Sequence, residues 1–242
     1  MAPTVNSGNY AKDLSKAPSF DGVSHCITHD FIIPDDTTIY RIVEKAYVGA
    51  EYGYVAEVHQ LAFHSPDFIE DEIDRLREND ESEEEVVRQI IQLGMEVVQP
   101  YVVVARFAYD PIQILDPNQQ PVSGIQIRGA YVAPQRAGAG LAGQIYRQLV
   151  LIHGLLVCDN AQTEYGAALW AGTIRNVVGR VDIYDCARQQ YIQELGDKGI
   201  GVNGFIPWDL NAVQPHQFQL TRWVRYKFEI RSCSHIVLVV SR

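Results

Sequence analysis

The sequence lacks a long hydrophobic run. Nowhere do about 18 apolar residues stand together, the length that a membrane-spanning helix needs, so no membrane partner is expected. It also lacks a paired cysteine motif. The four cysteines, Cys26, Cys158, Cys186 and Cys233, are scattered and none forms Cys-x-x-Cys, which leaves a disulfide framework and a zinc site unsupported. None of the seven histidines falls in a recognisable ligand pair, so no metal is expected. Basic residues are in deficit: 20 Lys and Arg stand against 30 Asp and Glu, a formal charge of −10. That balance argues against nucleic-acid binding over the whole surface. The N-terminus has neither the basic region nor the apolar core of a signal peptide. Together with the unpaired cysteines, this predicts a reducing, cytoplasmic setting.

What is present fills 242 residues, enough for one large domain with extensions and a sizeable core. Residues 1–22 are polar, with Pro3, Asn6, Ser7, Gly8 and Pro18, and read as a flexible or extended arm that could pack on a neighbouring subunit. Val23 to Tyr47 predicts two short strands broken at Pro34-Asp35-Asp36. Ala50 to Phe63 predicts a helix with Val55, Val58 and Ala62 on one side; on such a helix Glu57 and His59 share no face. Ser65 and Pro66 open a further helix, with Ile69, Ile73 and Leu76 as its apolar stripe. The acidic run Asp80 to Glu85 is a solvated helix surface or a face that recruits a basic partner. A second helix follows and ends at Gly94. Tyr101 to Tyr109 and Val122 to Val132 predict strands, with a turn at Asp116-Pro117-Asn118.

The chain is organised around Tyr131 to Gly154. An extended run ends at Pro134, and small residues follow from Ala137 to Ala142, with Gly138 and Gly140 among them. Leu141, Ile145, Leu149 and Ile152 then recur at helical spacing. A strand, a glycine-bearing turn and a helix N-terminus together make a site for a phosphate or pyrophosphate, because backbone N–H groups approach closely and the helix dipole adds positive potential. No Lys-Ser or Lys-Thr pair follows the glycines, which excludes a P-loop, and no later glycine completes the dinucleotide fingerprint. Downstream, Leu155 to Cys158 predicts a strand, Thr163 to Ile174 a helix, Val177 to Tyr184 a strand and Ala187 to Leu195 a short helix. Arg222 to Arg231 predicts a strand with one apolar face and one basic-aromatic face, and His235 to Val240 a buried strand. The basic face, with Trp223 for stacking, is the one place where nucleic acid could be held; the plainer reading is an exposed sheet face that counters the acidic helices.

Val132-Ala133-Pro134, Gln135-Arg136-Ala137-Gly138-Ala139-Gly140 and the following helix resemble the acyl-CoA loop of the GNAT (N-acetyltransferase) superfamily, which carries Val-x-Pro and Gln/Arg-x-x-Gly-x-Gly/Ala. A second register uses Gly140-Leu141-Ala142 as Gly-x-Ala. The order strand, strand, glycine loop, helix, strand, helix, strand is similar to that family from its third strand onward. The resemblance implies an α+β fold of α/β/α layers, with a mixed, mostly antiparallel central sheet flanked by helices. It implies a core over residues 23–185, with residues 186–242 as a loop-rich C-terminal β extension. Acetyl-CoA or another acyl-CoA would be the co-substrate. Tyr131 and Val132 would hold pantetheine; Gln135, Arg136, Gly138, Ala139, Gly140 and Ala142 would hold the pyrophosphate; Asn160 and Trp170 would line the cleft. Many members carry a Tyr as general acid where Trp170 stands, and an indole cannot serve in that role.

Asp159, at the end of the strand after the loop helix, is the carboxylate expected nearest the reacting centre. It reads as a base or amine-positioning group or as a cap for the next helix; Glu57 and Tyr184 are weaker candidates. The stretch C-D-N-A-Q-T-E-Y-G-A-A-L-W also looks like phage-encoded GNAT-like proteins. The function expected is N-acyl transfer, most simply N-acetyl transfer, from a CoA thioester to an amine by direct attack. The alternative is a non-catalytic GNAT-fold structural or interaction protein, virion-associated or host-targeting, with a protein partner or a homo-oligomer.

Overall fold

The computed structural model describes residues 4–6, 13–18, 23–34, 36–98, 101–136, 140–196, 199–207 and 235–242. The fold is α+β, with strands that pair mostly antiparallel and few helices. The chain divides into two compact units: Leu14–Ala108 with Ala130–Leu141, and Met1–Asp13 with Tyr109–Gly129 and Ala142–Arg242. They are called here the first and the second unit. Strand β1 (Thr4–Asn6) belongs to the second and is described there.

In the first unit, β2 (Val23–Ile32), β3 (Ile39–Tyr47) and β4 (Tyr54–Gln60) form an antiparallel meander. The segment predicted as a helix over Ala50 to Phe63 is therefore mostly strand. Its Val55 and Val58 are β-branched and wholly buried, one on each face of the sheet, so their spacing of three was no helical stripe. Tyr47 N donates to Gly53 O at 3.0 Å and closes the β3–β4 hairpin. Gly49 supplies the left-handed φ of +73° that this turn requires.

Two helices follow where expected, although the Ser65 side chain makes no cap hydrogen bond to the first of them. In α1 (Pro66–Glu78), Pro66 sits in the first turn and Ile69, Ile73 and Leu76 are buried. In α2 (Glu83–Gln92), the Ser82 hydroxyl accepts from Glu85 N at 3.3 Å. Glu83, Glu84 and Glu85 of the acidic run thus fall in the first turn of α2, where carboxylates favour the positive end of the dipole; Asp80 and Glu81 precede the helix. Glu83 also pairs with Arg77, and Glu85 with Arg88. A helix this short is not stable alone. Val86, Val87 and Ile90 fix it by packing with the α1 stripe and with Ile32, Ile39 and Leu61, at about 1.5–3 kcal/mol for each large side chain buried. Among the described residues no helix is long and apolar enough to cross a membrane.

Strand β5 (Val102–Leu115) runs six residues beyond the predicted Tyr101–Tyr109, straight through Pro111. Strand β6 (Pro121–Val132) follows the expected turn. In the second unit, α3 (Leu141–His153) leads into β7 (Leu155–Val157), β8 (Ala161–Thr163) and α4 (Glu164–Ala168). The helix continues through a π-helical stretch, Leu169–Ile174, into α5 (Arg175–Val178). Gly179, with φ +83°, ends it, so the strand predicted from Val177 starts only at β9 (Asp182–Asp185). Residues predicted as a helix near Ala187 to Leu195 form instead β10 (Gln190–Glu194), antiparallel to β9. Tyr184 and Tyr191, level with each other across that pair, meet edge to face at 5.1 Å. The last strand is β11 (Ile236–Ser241). The predicted strand Arg222 to Arg231, with its basic-aromatic face, lies outside the described residues.

The strand order is β10-β9-β11-β7-β6. β11 runs antiparallel to both β7 and β9, whereas β6 and β7 are parallel. A parallel pair needs a crossover connection, and α3 provides it. Ile145, Tyr146, Leu149 and Val150 are buried along α3, and Gly154, with φ +76°, ends the helix as a left-handed cap.

Candidate functional site

The parallel contact between β6 and β7 is short. Only Ile125 pairs with Leu156 and Gln126 with Val157. Close approach there depends on Gly124, where an added Cβ would lie 2.3 Å from Leu155 O and 2.6 Å from Leu155 Cβ. Those atoms are a backbone carbonyl oxygen and the first carbon of a side chain, fixed by the backbone, not a flexible side-chain end. Gly124→Ala is therefore expected to lower stability by about 1–3 kcal/mol, the range for overpacking, read as a fall in the urea midpoint. Among the described residues nothing lies within 4 Å of a Cβ added at Gly140, so Gly140→Ala is expected to cost the strain of its left-handed φ, about 1–2 kcal/mol.

Where the two strands part, polar groups gather. The buried Gln126 side chain donates from Nε2 to Cys158 O at 3.2 Å and to Asn160 Oδ1 at 2.9 Å. Cys158 is held from the other side: its N donates to Leu238 O at 2.9 Å, and its Sγ accepts from Leu238 N at 3.1 Å. Of the cysteines described, Cys158 is the buried one, while Cys26 and Cys186 are exposed. Asp159 is buried at 9 % exposure, and its Oδ1 accepts from Asn160 N at 2.7 Å. The cap reading of Asp159 does not hold: β8 intervenes and α4 begins only at Glu164.

Trp170 is 2 % exposed and packs edge to face on Tyr146, with ring centroids 5.6 Å apart. Tyr146, from α3, was not expected at the site. Its phenol is pushed well above its ordinary pKa by burial, with Cys158 and Asp159 adding to the rise and a hydrogen bond to Trp170 opposing it. Tyr146 therefore carries its proton at neutral pH, close enough to Asp159 to feel its charge. A phenol on an otherwise aliphatic helix face was the one signal in the sequence. Tyr184 accepts from Leu115 N at 3.1 Å; it is a buried structural residue whose phenol burial pushes up.

The other expected residues lie in or next to the first unit. Pro134–Arg136 forms one 3-10 turn. Gln135 is exposed, and Arg136 Nη2 donates to Gln60 Oε1. Tyr131 packs against Leu14, Tyr47, Tyr52, Val55 and Ala108, and Val132 ends β6. Gly140, common to both loop registers, has φ +77° and immediately precedes α3. Ala142 lies in the first turn of α3, whereas Gly138 and Ala139 lie outside the described residues. Among the described residues no group of three or more His, Cys, Asp and Glu side chains gathers to hold a metal.

Glu57 sits in a buried charge cluster of the first unit. Because residues 54–60 are a strand, Glu57 and His59 share a face, contrary to the helical expectation. The register Val43↔Glu57 and Arg41↔His59 adds Arg41 and Lys45 to that face. Glu57 Oε1 accepts from Arg106 Nε at 2.9 Å, and Oε2 accepts from Lys45 Nζ. Arg106 Nη1 also donates to Ser15 O at 2.8 Å and Leu14 O at 3.3 Å. Arg41 bridges Asp30 at 2.6 Å and Glu96 at 2.7 Å. His59 lies tilted against Tyr101 with ring centroids 5.2 Å apart, and both of its ring nitrogens are buried with no hydrogen-bond partner among the described residues. His59, with Nε2 3.8 Å from Oε2, and then Lys45 and Arg106 hold the Glu57 carboxyl far below the usual carboxylate range, against the upward push of burial. So low a pKa suits a structural anion and not a general base at neutral pH.

Comparison with known proteins adds no relative: no protein-family model, no curated protein and no solved structure gives a significant match to this chain.

Proposed function

We propose that the chain is an acyl-CoA-dependent N-acyltransferase of GNAT type, most simply an N-acetyltransferase. One observation carries the reading. A strand and a helix-linked parallel partner touch over two residue pairs and then part, and a buried carboxylate and a protonated phenol stand at the parting. A gap between parallel strands leaves backbone N–H and C=O groups that an extended pantetheine amide chain can satisfy. The glycine-entered α3 supports the same reading.

The chain's own groups fit an acyl-CoA. The first-turn N–H groups of α3, entered through Gly140, suit a pyrophosphate; the expected contacts of Gln135 to Ala142 with pyrophosphate and of Tyr131 and Val132 with pantetheine remain part of this proposal. Asp159 accepts the proton of the attacking amine as its nitrogen bonds to the acyl carbon. The C–S bond breaks, and Tyr146 supplies the proton that the departing thiolate takes. Trp170 orients the phenol and does not transfer a proton. Asn160, tied to Gln126, fixes the loop that carries Asp159.

The burial of Trp170 where an exposed Tyr would serve favours a second reading, a non-catalytic module of this fold with a protein partner. Calorimetric titration with acetyl-CoA and with CoA separates the two. Micromolar binding is expected, and Gly140→Glu is expected to abolish it by placing a carboxylate and a strained φ at the helix entry. An absence of heat at millimolar ligand would overturn the enzyme reading.

A further inference from the structure

The strand that follows Asp159 and Asn160 is already in use. β8 pairs in parallel with the chain's own β1, in the register Thr4↔Ala161, Val5↔Gln162 and Asn6↔Thr163. These two strands form a sheet of their own, and β1 also lies against α4. The edge of β8 therefore accepts an extended polypeptide by main-chain pairing, and it fixes the direction of that polypeptide. In a parallel pair both strands begin at the same end. β8 begins just after Asp159 and Asn160, so the N-terminal end of any strand added there points to that carboxylate. A residue level with Ala161 is followed upstream by one level with Asn160 and then one level with Asp159.

We propose that the β8 edge is the acceptor site, that the acceptor is the free α-amine of an extended polypeptide, and that β1 holds the edge as a displaceable intramolecular occupant. The proposal rests on the acyl-transfer reading for its chemistry, though not for the binding itself. Recognition by main-chain hydrogen bonds makes the site tolerant of acceptor sequence and strict about direction. The α-amine enters at Asp159, loses a proton to it and forms an amide with the acyl carbon, while the C–S bond breaks and CoA leaves as the thiol. A lysine side chain in mid-peptide would project across the strand, not along it, and is disfavoured.

The test uses a synthetic peptide containing Thr-Val-Asn, with a free α-amine and a dye at its C-terminus. Its affinity is measured by fluorescence anisotropy, without CoA, for the full chain and for a variant lacking residues 1–9. Removing an intramolecular competitor is expected to strengthen binding about tenfold or more. Equal affinity for the two proteins would overturn the proposal. Should the deletion impair folding, the full chain carrying Thr4→Cys with Ala161→Cys serves instead. Oxidation is expected to join the two positions, as peptide mapping would show, and to exclude the peptide, while reduction readmits it. A failure to cross-link would overturn the register on which the proposal stands. With acetyl-CoA supplied, the α-amine is expected to be acylated and an internal lysine spared; the reverse preference would overturn the assignment of the acceptor. Peptide binding without CoA affinity would remove the acyl-transfer reading alone. CoA affinity without peptide binding would remove this inference alone.

Discussion

Replacing Glu57 with Gln is expected to lower the stability of the first unit by about 3–5 kcal/mol, the cost of leaving a buried cation without its counter-ion. Glu57 is 5 % exposed and Arg106 is 9 % exposed. Arg106 is the cation that would be left buried; the Lys45 side chain, 21 % exposed, keeps part of its contact with water. Gln keeps the shape and one acceptor oxygen and removes the charge, so the loss reports electrostatics and not packing. The pH dependence has a definite sign. The folded carboxyl titrates far below its ordinary value, and an unfolded Glu titrates near 4.3. The contribution is therefore complete above roughly pH 5 and is lost as pH falls through the unfolded and towards the folded value. Wild-type protein should lose stability steeply between about pH 4 and pH 2, and Glu57→Gln should show a shallower fall over that range. Hydrogen exchange read on β3 and β4 peptides gives the measurement, since the described tryptophan, Trp170, belongs to the second unit. A loss under about 1 kcal/mol, the value for an exposed pair, would show that water reaches the cluster.

Replacing Asp159 with Asn is expected to slow acyl transfer about 10²- to 10⁴-fold, the usual contribution of a positioned acid–base group, while acyl-CoA affinity stays unchanged. Asn can keep the contact with Asn160 N and cannot take a proton from the amine. Tyr146→Phe is expected to slow transfer as well, again with acyl-CoA affinity unchanged, because a ring without the hydroxyl supplies no proton to the thiolate. A change below about threefold in kcat, well under the range for general bases, would deny Asp159 any part in the reaction. It would leave Asp159 as a buried strand-end residue.

The elements that sequence reading placed well are those whose pattern has a single solution. Ile69, Ile73 and Leu76 recur at helical spacing next to Ser65-Pro66, and Tyr101 to Tyr109 is dense in β-formers. The failures have physical causes. Val55, Val58 and Ala62 fit a helical stripe, but a strand buried on both faces shows no alternation either, and pairing with β3 decided the matter. That single mistake hid the Glu57–His59 pair, because i and i+2 face each other only in a strand. Residues 190–194 make β10 because Tyr191 finds Tyr184 across the sheet, a contact that no local pattern announces. At the candidate site, Asp159, Asn160 and Trp170 were legible from their place after the glycine turn. Tyr146 was not, since its significance comes from the three-dimensional neighbours Cys158 and Asp159.

The position of β11 has a consequence for biosynthesis. Leu238 reaches back to Cys158 over 80 residues, so the strand that fills the gap between β7 and β9 is made long after both. At about 5–20 residues per second, a ribosome finishes β7 roughly 4–16 s before β11. Through that interval Leu155, Leu156 and Val157 have no antiparallel partner, and a nascent chain in this state is a natural client for a chaperone that captures apolar strands. Synonymous codon changes between residues 186 and 235 that slow translation would lengthen this exposure. They would lower the yield of folded protein without changing a single residue of it.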